Sequence, residues 1–97
     1  MSRFDQAKML MRVKKIQKEL QKQVIEVEKG DGAVRVEITG EQKIKKIHID
    51  PESVDLNDIG QLEHWVEDAV KEAVQESQKI AAAKMQPMMG ALGDLGL

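Results

Sequence analysis

The chain has 97 residues, 41% hydrophobic and 33% charged, with a formal net charge of -2 and no cysteine. That length fits one domain with a thin core, and the missing cysteines rule out disulfides, thiolate metal sites and redox chemistry at sulfur. The longest apolar run, Ile80 to Ala83, is four residues, so the sequence holds neither a membrane span nor a signal-peptide core.

From Ser2 to about Gln23, Met9, Val13, Ile16 and Leu20 recur at spacings of four, three and four. This is the seam of an amphipathic helix with coiled-coil character. Val24-Ile25-Glu26-Val27-Glu28 is β-branched and partly alternating, which predicts a strand over 24–29. Lys29-Gly30-Asp31-Gly32 predicts a tight turn, because Asp-Gly supplies the positive φ values that a hairpin needs. Residues 33–39 alternate, with Val34, Val36 and Ile38 on one face and Arg35, Glu37 and Thr39 on the other. Gly40-Glu41-Gln42 makes a second turn, and 43–49 a third strand with Ile47 and Ile49 inward. The three strands form an antiparallel meander with one apolar face.

Asp50-Pro51 ends the third strand, since proline donates nothing to the ladder. Asn57 or Asp58 is positioned to cap a helix over 58–84. Its apolar stripe runs Leu62, Trp65, Val66, Ala69, Val70, Ala73, Val74, Ser77, Ile80 and Ala81. After Met85 the pattern dissolves, so residues 1–86 read as one domain and 87–97 as a flexible tail. Met85, Met88 and Met89 are placed for a sticky interaction surface, with disorder as the plainer reading. The fold class is α+β, in the order helix, three strands, helix. Helices of roughly 30 and 40 Å overhang strands of about 20 Å. The overhang leaves apolar stripe exposed, which predicts a homodimer with protruding helical arms. Met9, Val13, Ile16, Leu20, Trp65, Val66 and Val70 are the expected core and dimer contacts.

Charge is sorted between the helices. Residues 1–22 carry Arg3, Lys8, Arg12, Lys14, Lys15, Lys18 and Lys22 against Asp5 and Glu19. Residues 52–76 carry eight acids against Lys71. A basic helix has two fates: it meets a polyanion, or its acidic neighbour neutralises it. The bland reading of each face is solvation. Yet Lys8/Arg12, Lys14/Lys18 and Lys18/Lys22 are like-charge pairs four apart, which weaken an isolated helix, and phosphate backbone is the commonest remedy. With Phe4 and Trp65 as the two aromatics there is no platform for stacking single-stranded bases. A nucleic-acid partner is therefore duplex held by its phosphates. His48 and His64 lack spacing partners for a metal site or a nucleophile relay. The acidic loop of Asp50, Asp55 and Asp58 lacks the EF-hand pattern, so neither an enzyme nor a cofactor or metal is expected.

Taken together, Gly32-Ala33-Val34-Arg35-Val36, Gly40, Ile47-His48-Ile49-Asp50-Pro51, Leu62-Glu63, Ala69 and Ala73 resemble the YbaB/EbfC family of bacterial nucleoid-associated proteins. Gln6-Ala7-Lys8-Met9 through Gln17-Lys18-Glu19-Leu20 is similar too, and the likeness spans about residues 6–84. Two departures stand out: His64-Trp65 and Glu67-Asp68 make the second helix bulkier and more acidic, and the tail is short, with Lys84 as its one base. The resemblance implies a helix–three-strand–helix protomer, a tweezer-like homodimer, and a cytoplasmic protein that binds DNA and organises the nucleoid. Arg3, Lys8, Arg12, Lys14, Lys15, Lys18 and Lys22 are then the expected DNA contacts. The alternative is a dimeric scaffold that binds no DNA and grips an unidentified protein partner.

Overall fold

The computed structural model describes residues 3–94, with side chains as far as Pro87. Helix α1 (Arg3–Lys22) leads into strands β1 (Val24–Lys29), β2 (Val34–Thr39) and β3 (Ile44–Ile49). A short 3-10 turn (Pro51–Ser53) then leads to helix α2 (Ile59–Asp94). The sheet is antiparallel in the order β1-β2-β3. The helix–meander–helix order is the one read from periodicity.

Both hairpins turn on left-handed backbone. Gly30, Asp31 and Gly32 have φ of 64°, 57° and 87°, and the Ala33 amide donates to the Gly30 carbonyl at 3.2 Å. In the second turn Gln42 has φ 67°, and the Thr39 hydroxyl accepts from the Glu41 and Lys43 amides at 3.3 and 3.4 Å. Asp50 caps the 3-10 turn by accepting from the Glu52 amide at 3.1 Å. Of the two candidate caps for α2, Asp58 does the work: its carboxylate accepts from the Gln61 amide at 3.2 Å.

The core lies between the sheet and α2. Val27, Val34, Val36 and Ile38 pack against Ala69 and Ala73, with Leu62, Trp65, Val66, Val70 and Val74 at its margin. Small residues at 69 and 73 let the helix axis approach β2. Fully buried Ser77 continues that line, and its hydroxyl donates to the Thr39 carbonyl at 2.7 Å. This bond satisfies a polar group that would otherwise be costly to bury.

Three differences from the sequence reading stand out. First, α2 packs chiefly across β1 and β2. Ile47 and Ile49 do share the face of Val36 and Val34, their partners in register, but they remain 43% and 38% exposed. Every residue of β3 is exposed. Second, α2 does not stop near 84 but continues through Pro87 to Asp94. Ala81, Ala82, Ala83, Lys84 and Met85 are good helix formers, which keeps the helix going without an apolar stripe. The tail expected over 87–97 therefore begins as helix, and the side chains of Met88 and Met89 lie outside the described residues. Third, the two overhangs partly cover each other. Leu20 is buried within the protomer and Met9, Val13 and Ile16 are half-buried. A Cβ on Gly40 would lie 2.9 Å from the Leu20 carbonyl oxygen, and the Gly40 amide donates to that oxygen at 2.9 Å. This close approach clamps the end of α1 to the second hairpin.

Candidate nucleic-acid interface

The apolar seam of α1 sets where its bases go. At about 100° per residue, docking Met9, Val13, Ile16 and Leu20 inward turns Lys14, Lys15, Lys18 and Lys22 to the opposite side. Arg3, Lys8 and Arg12 lie on its flanks. All seven are exposed. Four of the seven predicted contacts thus share the outward side of a 20-residue helix, and the other three flank it. Lys8 sits with its ammonium 4.8 Å from the centroid of the Phe4 ring, a cation–π contact in the first two turns. Phe4, Leu10 and Met11 are exposed large apolar residues among these bases. Leu10 and Met11 fall off the seam spacing, so periodicity alone did not single them out.

Four of the five acids over 63–76 of α2 are engaged elsewhere. Glu67 holds Lys71 at 2.6 Å, Asp68 faces His64 at 3.1 Å and Glu76 meets Lys79 at 3.4 Å, all within the helix. Glu72 reaches Lys29 of β1 at 3.0 Å. The close Lys71 ammonium holds the Glu67 carboxyl below its ordinary range, and Glu67 in turn raises Lys71. Among the described residues a single ion pair joins α1 to α2, and its polarity is reversed: Lys84 of α2 meets Glu19 of α1 at 3.3 Å. The acidic half of α2 does not neutralise the basic helix of its own chain. Geometry explains why. The acids lie beside the sheet, whereas α1 runs along the other end of α2, around Lys84 and Pro87.

The outer face of the sheet carries a small hollow of about 60 Å³ lined by Glu26, Arg35, Glu37, Lys46 and His48. Glu26 and Glu37 oppose one another across β1 and β2, a repulsion relieved by Arg35, 3.7 Å from Glu26, and by Lys46 opposite Glu37. Its mixed charge balances locally. Among the described residues, no group of three or more His, Cys, Asp or Glu is arranged to hold a metal ion. No helix among them is long and apolar enough to cross a membrane.

The residues expected at a dimer interface divide. Leu20 is buried against Gly40, and Trp65 packs under Gly30, where an added Cβ would meet the indole at 2.6 Å. Val66 and Val70 keep part of their surface open. Trp65 and Glu72 turn toward Gly30 and Lys29, so Val66 and Val70, farther round the helix, turn toward β3. Ile44, Ile47 and Ile49 of that strand are exposed, and sequence reasoning had placed Ile47 and Ile49 in the core.

Residues 2–92 match the model of the YbaB/EbfC DNA-binding family. The chain belongs to this family. Relatives include a nucleoid-associated protein of Ruminiclostridium cellulolyticum, 38% identical over 88 residues that cover 91% of this chain and 76% of the relative. Another from Chloroflexus aggregans is 34% identical over 87 residues, covering 90% and 87% of the two chains. The crystal structure of an uncharacterized protein from Helicobacter pylori superposes with a TM-score of 0.78 over 86% of this chain and 87% of that one. At 14% identity, that likeness establishes the fold alone. This YbaB/EbfC chain thus combines the helix–meander–helix fold with a cationic first helix left open to solvent.

Proposed function

We propose that this YbaB/EbfC protein is a non-enzymatic, homodimeric component of the bacterial nucleoid that holds duplex DNA mainly by its phosphates. Its place is the cytoplasm, on the chromosome, where it organises DNA or adjusts gene expression. The observation that carries the reading is the uncompensated basic face of α1: Arg12, Lys14, Lys15, Lys18 and Lys22 lie exposed, and no ion pair of the described residues involves them. Such a row attracts a polyanion and releases its counterions. The relatives named nucleoid-associated proteins support the same assignment.

A second copy of the chain covers the apolar strip formed by Ile44, Ile47 and Ile49 with the open edges of Val66 and Val70. The partner supplies what α2 leaves bare, and it places two basic arms on one particle. The scaffold reading has less support, because it needs the basic helix to be neutralised by the acidic one, and four of the five acids over 63–76 are paired with Lys29, His64, Lys71 and Lys79.

The test is charge reversal. Lys15→Glu together with Lys18→Glu is expected to weaken binding to unrelated duplexes by the same factor in an electrophoretic shift assay, because phosphates carry no sequence. A loss confined to one duplex would contradict backbone recognition.

A further inference from the structure

Between α1 and the distal part of α2 lies a groove of about 300 Å³ lined by Arg12, Lys15, Ile16, Glu19, Lys84 and Pro87. Two of its residues break the local pattern. Lys84 stands where the inward stripe of α2 continues after Ser77, Ile80 and Ala81, a position that favours an apolar side chain. Glu19 is the one acid among residues 6–22. These two exceptions find each other: the Lys84 ammonium donates to the Glu19 carboxylate at 3.3 Å, with both side chains half-exposed. A partly exposed ion pair adds little to stability. An apolar pair at 19 and 84 would bind the helices together better, so holding the arm is a weak reason for this one.

The chemistry of the groove gives a stronger one. Three cations, Arg12 and Lys15 from α1 and Lys84 from α2, line a space that contains a single carboxylate, leaving a surplus of positive charge. Ile16 and Pro87 supply an apolar wall suited to the carbon face of a sugar. A phosphodiester carries one negative charge on two oxygens, as a carboxylate does. We propose that this groove seats one backbone phosphate of duplex DNA between Arg12, Lys15 and Lys84, and that Glu19 holds Lys84 as a stand-in until the phosphate displaces it. This rests on the DNA reading above and extends it. Lys84 becomes a contact contributed by the second helix, and Glu19 an internal competitor that lowers affinity. Bound DNA then ties α1 to α2, making the arm more rigid when it is occupied.

The experiment is fluorescence anisotropy of the full chain with one labelled duplex across a salt series, using Glu19→Gln, Lys84→Met and the double variant. Glu19→Gln is expected to bind about two- to five-fold tighter, and Lys84→Met weaker by a similar factor. Lys84→Met should also make the slope of log affinity against log salt shallower by about 0.9, the loss of one phosphate contact. In the double variant the gain from Glu19→Gln should vanish, because its effect passes through Lys84. Lys84→Arg should retain the wild-type slope and guards against a folding defect in Lys84→Met. An undiminished Glu19→Gln gain in the Lys84→Met background would reduce Glu19 to general repulsion and overturn the proposal. So would an unchanged affinity and slope in Lys84→Met while the wild-type protein binds DNA. If the wild-type protein binds no duplex at any salt, the DNA reading itself falls and takes the groove with it.

Discussion

Gly30 shows how much one residue can carry. Its φ of 64° and the Trp65 ring 2.6 Å from any added Cβ leave no room for a side chain. Gly30→Ala is expected to destabilise the fold by about 2–4 kcal/mol, combining left-handed strain with overpacking. Urea denaturation followed by the fluorescence of Trp65, the one tryptophan of the chain, measures this directly. Ser77→Ala removes the hydroxyl donor to the Thr39 carbonyl, which keeps the Gln42 amide as a second partner at 3.0 Å. Its cost is therefore modest, about 1 kcal/mol in the same assay. At the Glu67–Lys71 pair the linkage has a definite sign. Glu67 has a lowered pKa in the folded state, so its contribution is present above the ordinary carboxylate value and fades as pH falls through the lowered one. Lys71 is raised, so its contribution is present below its ordinary value and fades as pH rises through the raised one. The pair is fully exposed, and the effect on stability is accordingly small. Lys71→Met should return the Glu67 titration, followed by carboxyl carbon NMR, toward the ordinary range.

Elements with strict periodicity were legible in the sequence; their mutual placement was not. The alternation of Val34, Val36 and Ile38 defined β2, and Asp31-Gly32 and Gly40 marked both turns, because these signals are local. The exposure of β3 was hidden. Ile47 and Ile49 read as core-facing, and only the path of α2 over β1 and β2 reveals that the strand lies outside the cover. The far end of α2 was missed for the opposite reason: helix propensity at 81–85 sustains the helix after hydrophobic periodicity ends. At the candidate interface, the basic row on α1 was visible from spacing alone. Its freedom from the acids of α2 was not, since that depends on which ends of the two helices meet. The bare strand has a consequence for assembly. Ile47→Asp should shift the chain toward monomer in size-exclusion chromatography with light scattering while circular dichroism stays unchanged. A wild-type mass that stays at the 10.9 kDa of one chain at every concentration would remove the dimer.

The whole molecule is long and polarised. It measures 64 × 21 × 15 Å with a radius of gyration of 18.6 Å, against about 12.5 Å for a compact chain of this length. The sheet and the acidic half of α2 form one end. The arm of α1 and the distal part of α2 forms the other, and carries the cationic face. A net charge of -2 conceals this separation, which gives the protein a surface for a polyanion despite a sequence pI of about 5.7. The central claim is that this surface binds duplex DNA by its phosphates. It is tested most directly by the anisotropy of two labelled duplexes of unrelated sequence, titrated with the wild-type protein over a range of salt. Closely similar affinities are expected for both, falling with salt at a log–log slope of roughly -0.9 for each phosphate engaged. Absence of binding at low salt, or affinity for one duplex that ignores salt, would contradict it.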